Sequence, residues 1–345
     1  MNDDELYMSR CLELAEQGTG QVAPNPLVGA VLVHEGRIIG EGYHRVFGGP
    51  HAEVNCIGSV QPADRSLIST STMFVSLEPC SHFGKTPPCT DLILEHKIPR
   101  VIVAIRDPFE AVNGRGIDKL RQAGVEVESG ILAAQAAKQN RRFLTFHQKQ
   151  RPFIILKWAQ TADGHISAEG GKRMSISGDA TNRIVHQWRA EEAAILVGTN
   201  TAISDDPSLT TRLYPGKNPV RVVIDRKLSL PNTLKLFTES QDTIILNTLE
   251  EKDEAHLRYR KVDDMAPAYW MQALHSENIQ SVIVEGGALI LQAFLESGLW
   301  DECRVITNTN LHSEQGVAAP PLPLTRPVET IMVGSDRIDT YISTQ

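Results

Sequence analysis

The chain has 345 residues, a length typical of two domains, and its 41% hydrophobic and 22% charged residues match ordinary globular proteins. Its net charge of −8 disfavours a nucleic-acid partner, because proteins that bind a phosphate backbone usually carry a basic face. No apolar run approaches the roughly 18 residues of a membrane helix, and the acidic first residues lack a signal-peptide pattern, so no membrane partner and a cytoplasmic location are predicted.

The first half alternates helix and strand patterns. Helical apolar spacing covers residues 4–17, and apolar runs over 29–33 and 37–43 predict a β-hairpin. The elements predicted after the hairpin are helix 52–58, strand 73–77, helix 89–96, strand 101–105, helix 115–123, strand 125–127 and helix 131–147. This order predicts an α/β domain over residues 1–147, with a mixed sheet covered on both faces.

The strongest chemical signal lies between residues 51 and 89. His51, Cys80 and Cys89 provide one imidazole and two thiols, the ligand types that zinc takes, and a catalytic zinc site keeps its fourth position for water. Glu53 is the predicted proton shuttle, because water acidified by zinc must pass its proton to a nearby base. Residues two apart on a helix point in different directions, so His51 must lie at or before the first turn of helix 52–58.

A structural zinc site is the alternative interpretation of the same residues. Structural sites usually close with four protein ligands, and His82 could supply the fourth. Glu53 favours the catalytic interpretation, because a closed site has no use for a carboxylate at that position. The odd number of cysteines, five, does not suggest a disulfide framework.

A second domain is predicted over residues 153–345, after a linker at 148–152. It is predicted to begin with strand 153–158 and turn 159–164, followed by helix 180–189, strands 194–197, 220–225, 243–246 and 281–284, and helix 288–297. Gly286 and Gly287 separate the last strand from the last helix, an arrangement that lets a backbone approach a pyrophosphate closely. The glycine fingerprint of the Rossmann fold is not present.

Several motifs together resemble one known family. Eight residues separate Cys80 from Cys89, and the string Pro-Cys-Ser-His-Phe-Gly-Lys-Thr-Pro-Pro-Cys resembles the deaminase half of the bifunctional deaminase/reductase of riboflavin biosynthesis. Residues 24–29 and 40–44 look like the same family. Lys157 with Asp163-Gly164, and the segments 186–190, 198–212 and 284–287, resemble its reductase half. The resemblance covers nearly the whole chain.

The resemblance implies a cytidine-deaminase-like α/β/α domain followed by a dihydrofolate-reductase-like α/β domain. It implies zinc in the first domain and NADPH in the second. The implied reaction is hydrolytic deamination of 2,5-diamino-6-ribosylamino-4(3H)-pyrimidinone 5′-phosphate, followed by reduction of the ribosyl chain to give 5-amino-6-ribitylamino-uracil 5′-phosphate. Phosphorylated pyrimidines are therefore the expected partners, and a homo-oligomer is left open.

The resemblance also implies site residues. Those expected to bind the deaminase substrate are Asn25, His44, Lys85 and Asp107. Those expected to bind the reductase substrate are Arg173, Arg189, Leu209, Arg212 and Glu285. Those expected to bind the cofactor are Gln160, Ser175, Thr201, Asp205, Gly286 and Gly287, although the family often has an aromatic residue where Ser175 stands.

Two other functions remain open on the sequence alone. One is a tRNA or nucleoside deaminase with an unrelated second half, and the other is a non-enzymatic, zinc-stabilised nucleotide-binding protein. Consumption of NADPH in the presence of the diaminopyrimidine ribosylamino phosphate would separate both from the bifunctional enzyme.

Overall fold

The computed structural model describes residues 2–83, 87–109, 113–172, 174–323 and 326–344. The chain divides into two compact units, Met1–Lys149 and Gln150–Gln345, and the division lies within the segment 148–152 that was predicted as a linker. Across the described ranges, no helix has the length and apolar character needed to cross a membrane.

Unit 1 is built on a five-stranded sheet with the order β2-β1-β3-β4-β5. Its strands are β1 Gly29–His34, β2 Arg37–Tyr43, β3 Thr72–Leu77, β4 Arg100–Ile105 and β5 Glu126–Ser129. Its helices are α1 Asp3–Glu16, α2 Ala52–Gly58, α3 Cys89–Glu95, α4 Arg115–Gln122, α5 Ala133–Gln139 and α6 Arg141–Lys149, with a 3-10 helix at Pro62–Thr70. Strand β1 is antiparallel to β2 and β3, whereas β3, β4 and β5 are parallel. The chain therefore leaves β3 and β4 at the same edge of the sheet.

Both faces of this sheet are buried, as the sequence predicts. Leu32 and Val75 belong to one hydrophobic cluster, which also contains residues of α2, α3 and α4. Val31 and Phe74, their neighbours in the strands, belong to a second cluster with residues of α1 and α5. Because successive side chains of a strand point to opposite faces, unit 1 is an α/β/α sandwich.

The single helix predicted over residues 131–147 is wrong, because the structure breaks it at Asn140 into α5 and α6. Asn140 is 3% exposed. Its Oδ1 accepts a hydrogen bond from the Leu27 N–H at 2.8 Å, and its Nδ2 donates to the Leu27 carbonyl at 2.9 Å. The Asn140 side chain therefore holds the backbone of the loop that contains Asn25.

Unit 2 is built on a ten-stranded sheet with the order β11-β12-β10-β9-β8-β13-β6-β14-β17-β16, and β7 and β15 form a separate pair. Its strands are β6 Phe153–Thr161, β7 His165–Ala168, β8 Ala194–Gly198, β9 Val220–Ile224, β10 Thr243–Asn247, β11 Lys252–Glu254, β12 Leu257–Lys261, β13 Ser281–Val284, β14 Glu302–Asn308, β15 Gly316–Ala318, β16 Glu329–Val333 and β17 Asp336–Ile342. Its helices are α7 Asp179–Glu191, α8 Thr199–Asp205, α9 Lys235–Thr238, α10 Pro267–Ser276 and α11 Ala288–Ser297, with a 3-10 helix at Glu169–Gly171. The strands from β12 to β14 run parallel.

The turn predicted over residues 159–164 begins later than expected. Strand β6 continues to Thr161, because Ala159, Gln160 and Thr161 pair in register with the end of β14. A run of apolar residues gives no sign of this extension, since it depends on a partner strand about 150 positions further along the chain.

The Asn140 side chain provides a test of this fold. We expect Asn140→Ala to lower the free energy of unfolding of unit 1 by about 1–3 kcal/mol, because two part-buried backbone groups of Leu27 lose their partners. Gln148→Ala, at an exposed amide in α6, is the matched control. All four tryptophans lie in unit 2, so urea unfolding followed by circular dichroism should shift while tryptophan fluorescence should not. Equal shifts in both signals would contradict independent unfolding of the units.

Candidate active sites

His51 and Glu53 are two residues apart and would point in different directions if both lay within a helix, but His51 lies before the helix begins. His51 is the N-cap of α2 and has an extended backbone, with φ −71° and ψ 168°. Glu53 lies in the first turn of the helix and is 3% exposed. Because His51 lies outside the regular helix, its side chain is not forced away from that of Glu53, and the Glu53 carboxylate interacts with both His51 and Cys89.

Two thiols complete this cluster. Cys80 follows the end of β3, and Cys89 is the first residue of α3. Nδ1 of His51 lies 3.5 Å from Sγ of Cys80 and 3.3 Å from Sγ of Cys89, and the ligand atoms all lie within 4.8 Å of one another. Ligands of a tetrahedral zinc ion lie about 3.5–3.8 Å apart, so the three residues fit zinc. Among the residues that the structure describes, His82 is not part of this group.

The cluster has the electrostatics of a metal site with a buried base. A hydrogen bond from the Cys89 thiol lowers the pKa of Cys80, which favours a thiolate ligand. The backbone N–H of Cys89 also donates to Sγ of Cys80 at 3.3 Å. Burial raises the pKa of Glu53, so this carboxylate holds a proton more readily than an exposed one.

Asn25 and His44 lie beside the cluster. The His44 ring is 5.6 Å from the His51 ring, in an edge-to-face arrangement. Nδ2 of Asn25 is 3.0 Å from Nε2 of His44, and Nδ1 of His44 is 3.0 Å from the Pro50 carbonyl. Burial lowers the pKa of His44, which favours the neutral form of the ring.

Asp107 comes from the neighbouring strand end. It follows β4 and is 8% exposed, and its Oδ1 accepts a hydrogen bond from the Phe109 N–H at 2.8 Å. Burial raises the pKa of Asp107 to about 6. The structure therefore brings Asn25, His44 and Asp107 into the same unit as the metal cluster, whereas Lys85 lies outside the described residues.

Glu78 is a residue that sequence reasoning missed. Its buried carboxylate accepts hydrogen bonds from the backbone N–H groups of Asp107 at 3.3 Å, Gly114 at 3.0 Å, Gly116 at 2.9 Å and Ile117 at 3.2 Å. Its position two residues before a ligand was visible in the sequence. Its partners were not, because they lie 29 to 39 residues further along the chain.

Unit 2 contains a cavity of about 700 Å³ at the ends of its central parallel strands. Its walls include the predicted cofactor residues Ser175, Thr201, Asp205 and Gly287 and the predicted substrate residue Glu285. Gly286 lies at a close approach between two loops, since a Cβ there would be 2.6 Å from the Gly198 backbone nitrogen. The Gly287 N–H donates to the Thr201 hydroxyl at 2.9 Å. This glycine-lined wall before α11 suits a phosphate-bearing cofactor such as NADPH.

The remaining predicted residues of unit 2 have other surroundings. The Gln160 side chain bonds Trp158 Nε1 at 2.8 Å and the Thr307 hydroxyl at 3.3 Å. Leu209 is 3% exposed and belongs to a hydrophobic cluster. Arg212 lines a separate, open cavity of about 650 Å³. Arg173 lies outside the described residues.

A buried ionic cluster forms part of the wall of the larger cavity. Arg189 binds Glu285 through two hydrogen bonds, Nε to Oε1 at 2.8 Å and Nη2 to Oε2 at 2.7 Å, and Nζ of Lys157 lies 3.5 Å from Oε2. Burial raises the pKa of Glu285, but the charges of Arg189 and Lys157 outweigh it and hold the pKa below its ordinary value. Burial lowers the pKa of Lys157, opposed by Glu285. Arg189, expected to bind the reductase substrate, thus has a carboxylate partner within the protein.

Comparisons with known proteins cover both units. Residues 1–105 match the model of the cytidine and deoxycytidylate deaminase zinc-binding region, and residues 152–311 match that of the RibD C-terminal domain. The chain is 37% identical to the riboflavin biosynthesis protein RibD of Aquifex aeolicus, over 97% of this chain and 95% of the relative. It is 35% identical to the Escherichia coli RibD, over 87% and 86% of the two chains.

Solved structures agree with these matches. The structure of a diaminohydroxyphosphoribosylaminopyrimidine deaminase/5-amino-6-(5-phosphoribosylamino)uracil reductase from Thermotoga maritima is 37% identical, with a TM-score of 0.88 and 99% of each chain covered. One form of Acinetobacter baumannii RibD is 31% identical, with a TM-score of 0.89 and the same coverage. These matches confirm both predicted folds and contradict an unrelated second half. The chain belongs to the RibD family, the bifunctional enzymes of riboflavin biosynthesis that join a zinc-binding deaminase domain to an NADPH-dependent reductase domain.

Proposed function

We propose that unit 1 deaminates 2,5-diamino-6-ribosylamino-4(3H)-pyrimidinone 5′-phosphate and that unit 2 reduces the product to 5-amino-6-ribitylamino-uracil 5′-phosphate. The observation that carries this proposal is the pairing of a three-ligand zinc cluster and buried Glu53 in one unit with a glycine-lined cavity in the other. The name of the Thermotoga maritima protein, which is similar over 99% of both chains, supports the choice of substrates.

In unit 1, the deamination depends on proton transfer by Glu53. Zinc held by His51, Cys80 and Cys89 would supply an acidified water at the carbon that bears the amino group. The Glu53 carboxylate would accept a proton from the attacking water and deliver it to the departing ammonia. Its raised pKa suits both halves of the transfer, because the protonated form is less costly in this buried position.

Asn25 and Asp107 are proposed to bind the substrate. The Asn25 amide offers both a donor and an acceptor, the pattern needed to read the edge of a pyrimidine. Asp107 has a pKa of about 6, so near neutral pH it is mainly ionised and accepts hydrogen bonds from the substrate. Lys85 is proposed to bind the phosphoribosyl end of the substrate, because an ammonium group attracts phosphate.

In unit 2, NADPH would supply the hydride, and the protein would hold the cofactor and substrate in contact. Gly286, Gly287 and the start of α11 are proposed to receive the pyrophosphate, and Thr201 and Asp205 to bind other parts of the cofactor. Glu285 and Lys157 both line the cavity and are proposed to bind the substrate. Arg189 orients Glu285 through their paired hydrogen bonds.

The other residues named from the sequence stay proposals of the same kind. Ser175 and Gln160 are proposed for the cofactor, and Arg173, Leu209 and Arg212 for the reductase substrate. The domain limits 1–147 and 153–345, a cytoplasmic location and a homo-oligomer also stay predictions.

The zinc ligands are tested by removing single thiols. Cys80→Ser or Cys89→Ser should lose zinc and deaminase activity together, because a neutral hydroxyl is a far poorer ligand than a thiolate. Reductase activity should persist, because the predicted ligands all lie in unit 1. Cys56→Ala, at a buried cysteine of α2 outside the cluster, is the control and should keep its zinc. The measurements are the zinc content and separate assays of deamination and reduction. Full zinc occupancy in both serine variants would refute the ligand assignment.

Glu53→Gln separates chemistry from binding. The amide keeps the shape of the side chain but cannot accept the proton, so kcat for deamination should fall at least about a hundredfold. Zinc content should stay unchanged and KM should change little. Glu16→Gln, at an exposed position of α1, is the matched control. Near-normal turnover in Glu53→Gln would show that Glu53 does not transfer the proton.

The ionic cluster in unit 2 predicts a large effect of Arg189→Ala. Glu285 would lose its two strongest hydrogen bonds in a buried site, so unit 2 should lose about 3–5 kcal/mol of unfolding free energy and KM of the reductase substrate should rise. Arg189→Ala combined with Glu285→Gln should recover part of the lost stability, because the buried carboxylate is removed, but not all of it, because Lys157 then loses its counter-charge. Tryptophan fluorescence in urea measures the stability of both variants. Equal instability of the single and double variants would contradict this account.

A further inference from the structure

The loop that contains Asn25 is held at both ends, but the Asn25 amide itself has two rotational states of nearly equal shape. Asn140 holds both backbone groups of Leu27, and the Asn25 N–H donates to the Val22 carbonyl at 2.9 Å. Neither contact involves the Asn25 side chain. Its oxygen and nitrogen could therefore exchange places, and with them the acceptor and donor that a substrate would meet.

His44 decides between these states. The Pro50 carbonyl can only accept, so Nδ1 of His44 donates across their 3.0 Å separation. Nδ2 of Asn25 can only donate, so the ring nitrogen opposite it must be the acceptor. Nε2 then presents a lone pair and accepts from Nδ2 of Asn25 at 3.0 Å. A reversed amide would place the Asn25 oxygen against this lone pair. The Pro50 carbonyl is itself held by Nδ2 of Asn55, at 3.3 Å.

The two side chains differ in what they can still offer to a ligand. His44 is 3% exposed, and both of its ring nitrogens have partners within the protein. Asn25 is only partly buried. His44 engages only one hydrogen of the Asn25 amide, so this contact does not use Oδ1 or the second amide hydrogen. The arrangement offers Asn25, and not His44, to the substrate.

We infer that His44 is a positioning residue that acts through Asn25. It holds the amide so that Oδ1 selects an N–H donor on the pyrimidine, instead of contacting the substrate itself as the resemblance implied. The inference rests on the proposed function of unit 1 as the pyrimidine deaminase.

A double-mutant cycle tests the inference. We would measure deamination of the diaminopyrimidinone ribosylamino phosphate by Asn25→Ala, His44→Leu and the double variant, with His44→Phe as a second, ring-shaped replacement. Each single change should raise KM about tenfold, the usual effect of one hydrogen bond, with a smaller effect on kcat. The double variants should be no worse than Asn25→Ala, because His44 has no role once the amide is absent.

A conservative substitution that keeps both hydrogen bonds distinguishes this role from a structural one. His44→Gln retains a donor for Pro50 and an acceptor for Asn25 in one amide, so its KM should lie within about threefold of the parent chain. Zinc content and reductase activity should be unchanged in all variants. An additive, roughly hundredfold rise in the double variants would overturn the inference in favour of direct substrate contact. Loss of zinc in both His44→Leu and His44→Phe would overturn it in favour of support for His51.

The experiment also separates this inference from the proposed function. A parent chain that binds the pyrimidine without releasing ammonia would refute the proposed reaction. The same cycle, measured as dissociation constants, would still decide whether His44 acts through Asn25.

Discussion

The deaminase site depends on one buried carboxylate that has no part in metal ligation or in the proposed proton transfer. Glu78 accepts hydrogen bonds from four backbone N–H groups, one at Asp107 and three at the start of α4. It lies between the end of β3 and Cys80, so the same peptide segment positions a candidate zinc ligand, the Asp107 loop and the start of α4. The start of α4 packs closely against this segment at Gly116, since a Cβ there would lie 2.1 Å from the Pro79 carbonyl oxygen.

Unit 2 positions its site residues through a buried cluster of three charged groups. A carboxylate, a guanidinium and an ammonium lie together beside a cavity, where desolvation of each charge is costly. Glu285 stays ionised because two cations face it, and the paired hydrogen bonds of Arg189 fix its direction. Positional accuracy at this wall therefore comes from an ion cluster, whereas in unit 1 it comes from backbone donors.

Local pattern and chemistry pointed to the metal cluster of unit 1, whereas most of the residues expected at the site of unit 2 came from the family resemblance. The ligand types of His51, Cys80 and Cys89 and the helix start after His51 followed from residue identity and helical geometry. The break at Asn140 did not, because its cause is a loop 113 residues away, and a run of helix-forming residues hides it. The partner of Arg189 was missed for the same reason, since Glu285 lies 96 residues further on. Sequence periodicity describes neighbours along the chain, and these contacts join distant segments.

Because the two compact units lie on a single polypeptide, the deaminase and reductase domains are always present in a one-to-one ratio. Every molecule that is synthesised contains one deaminase domain and one reductase domain, whatever the level of expression. The capacity to produce the deaminated pyrimidine and the capacity to consume it therefore rise and fall together. Any imbalance in flux between the two steps must come from the rate constants and substrate affinities of the sites, and gene dosage cannot correct it.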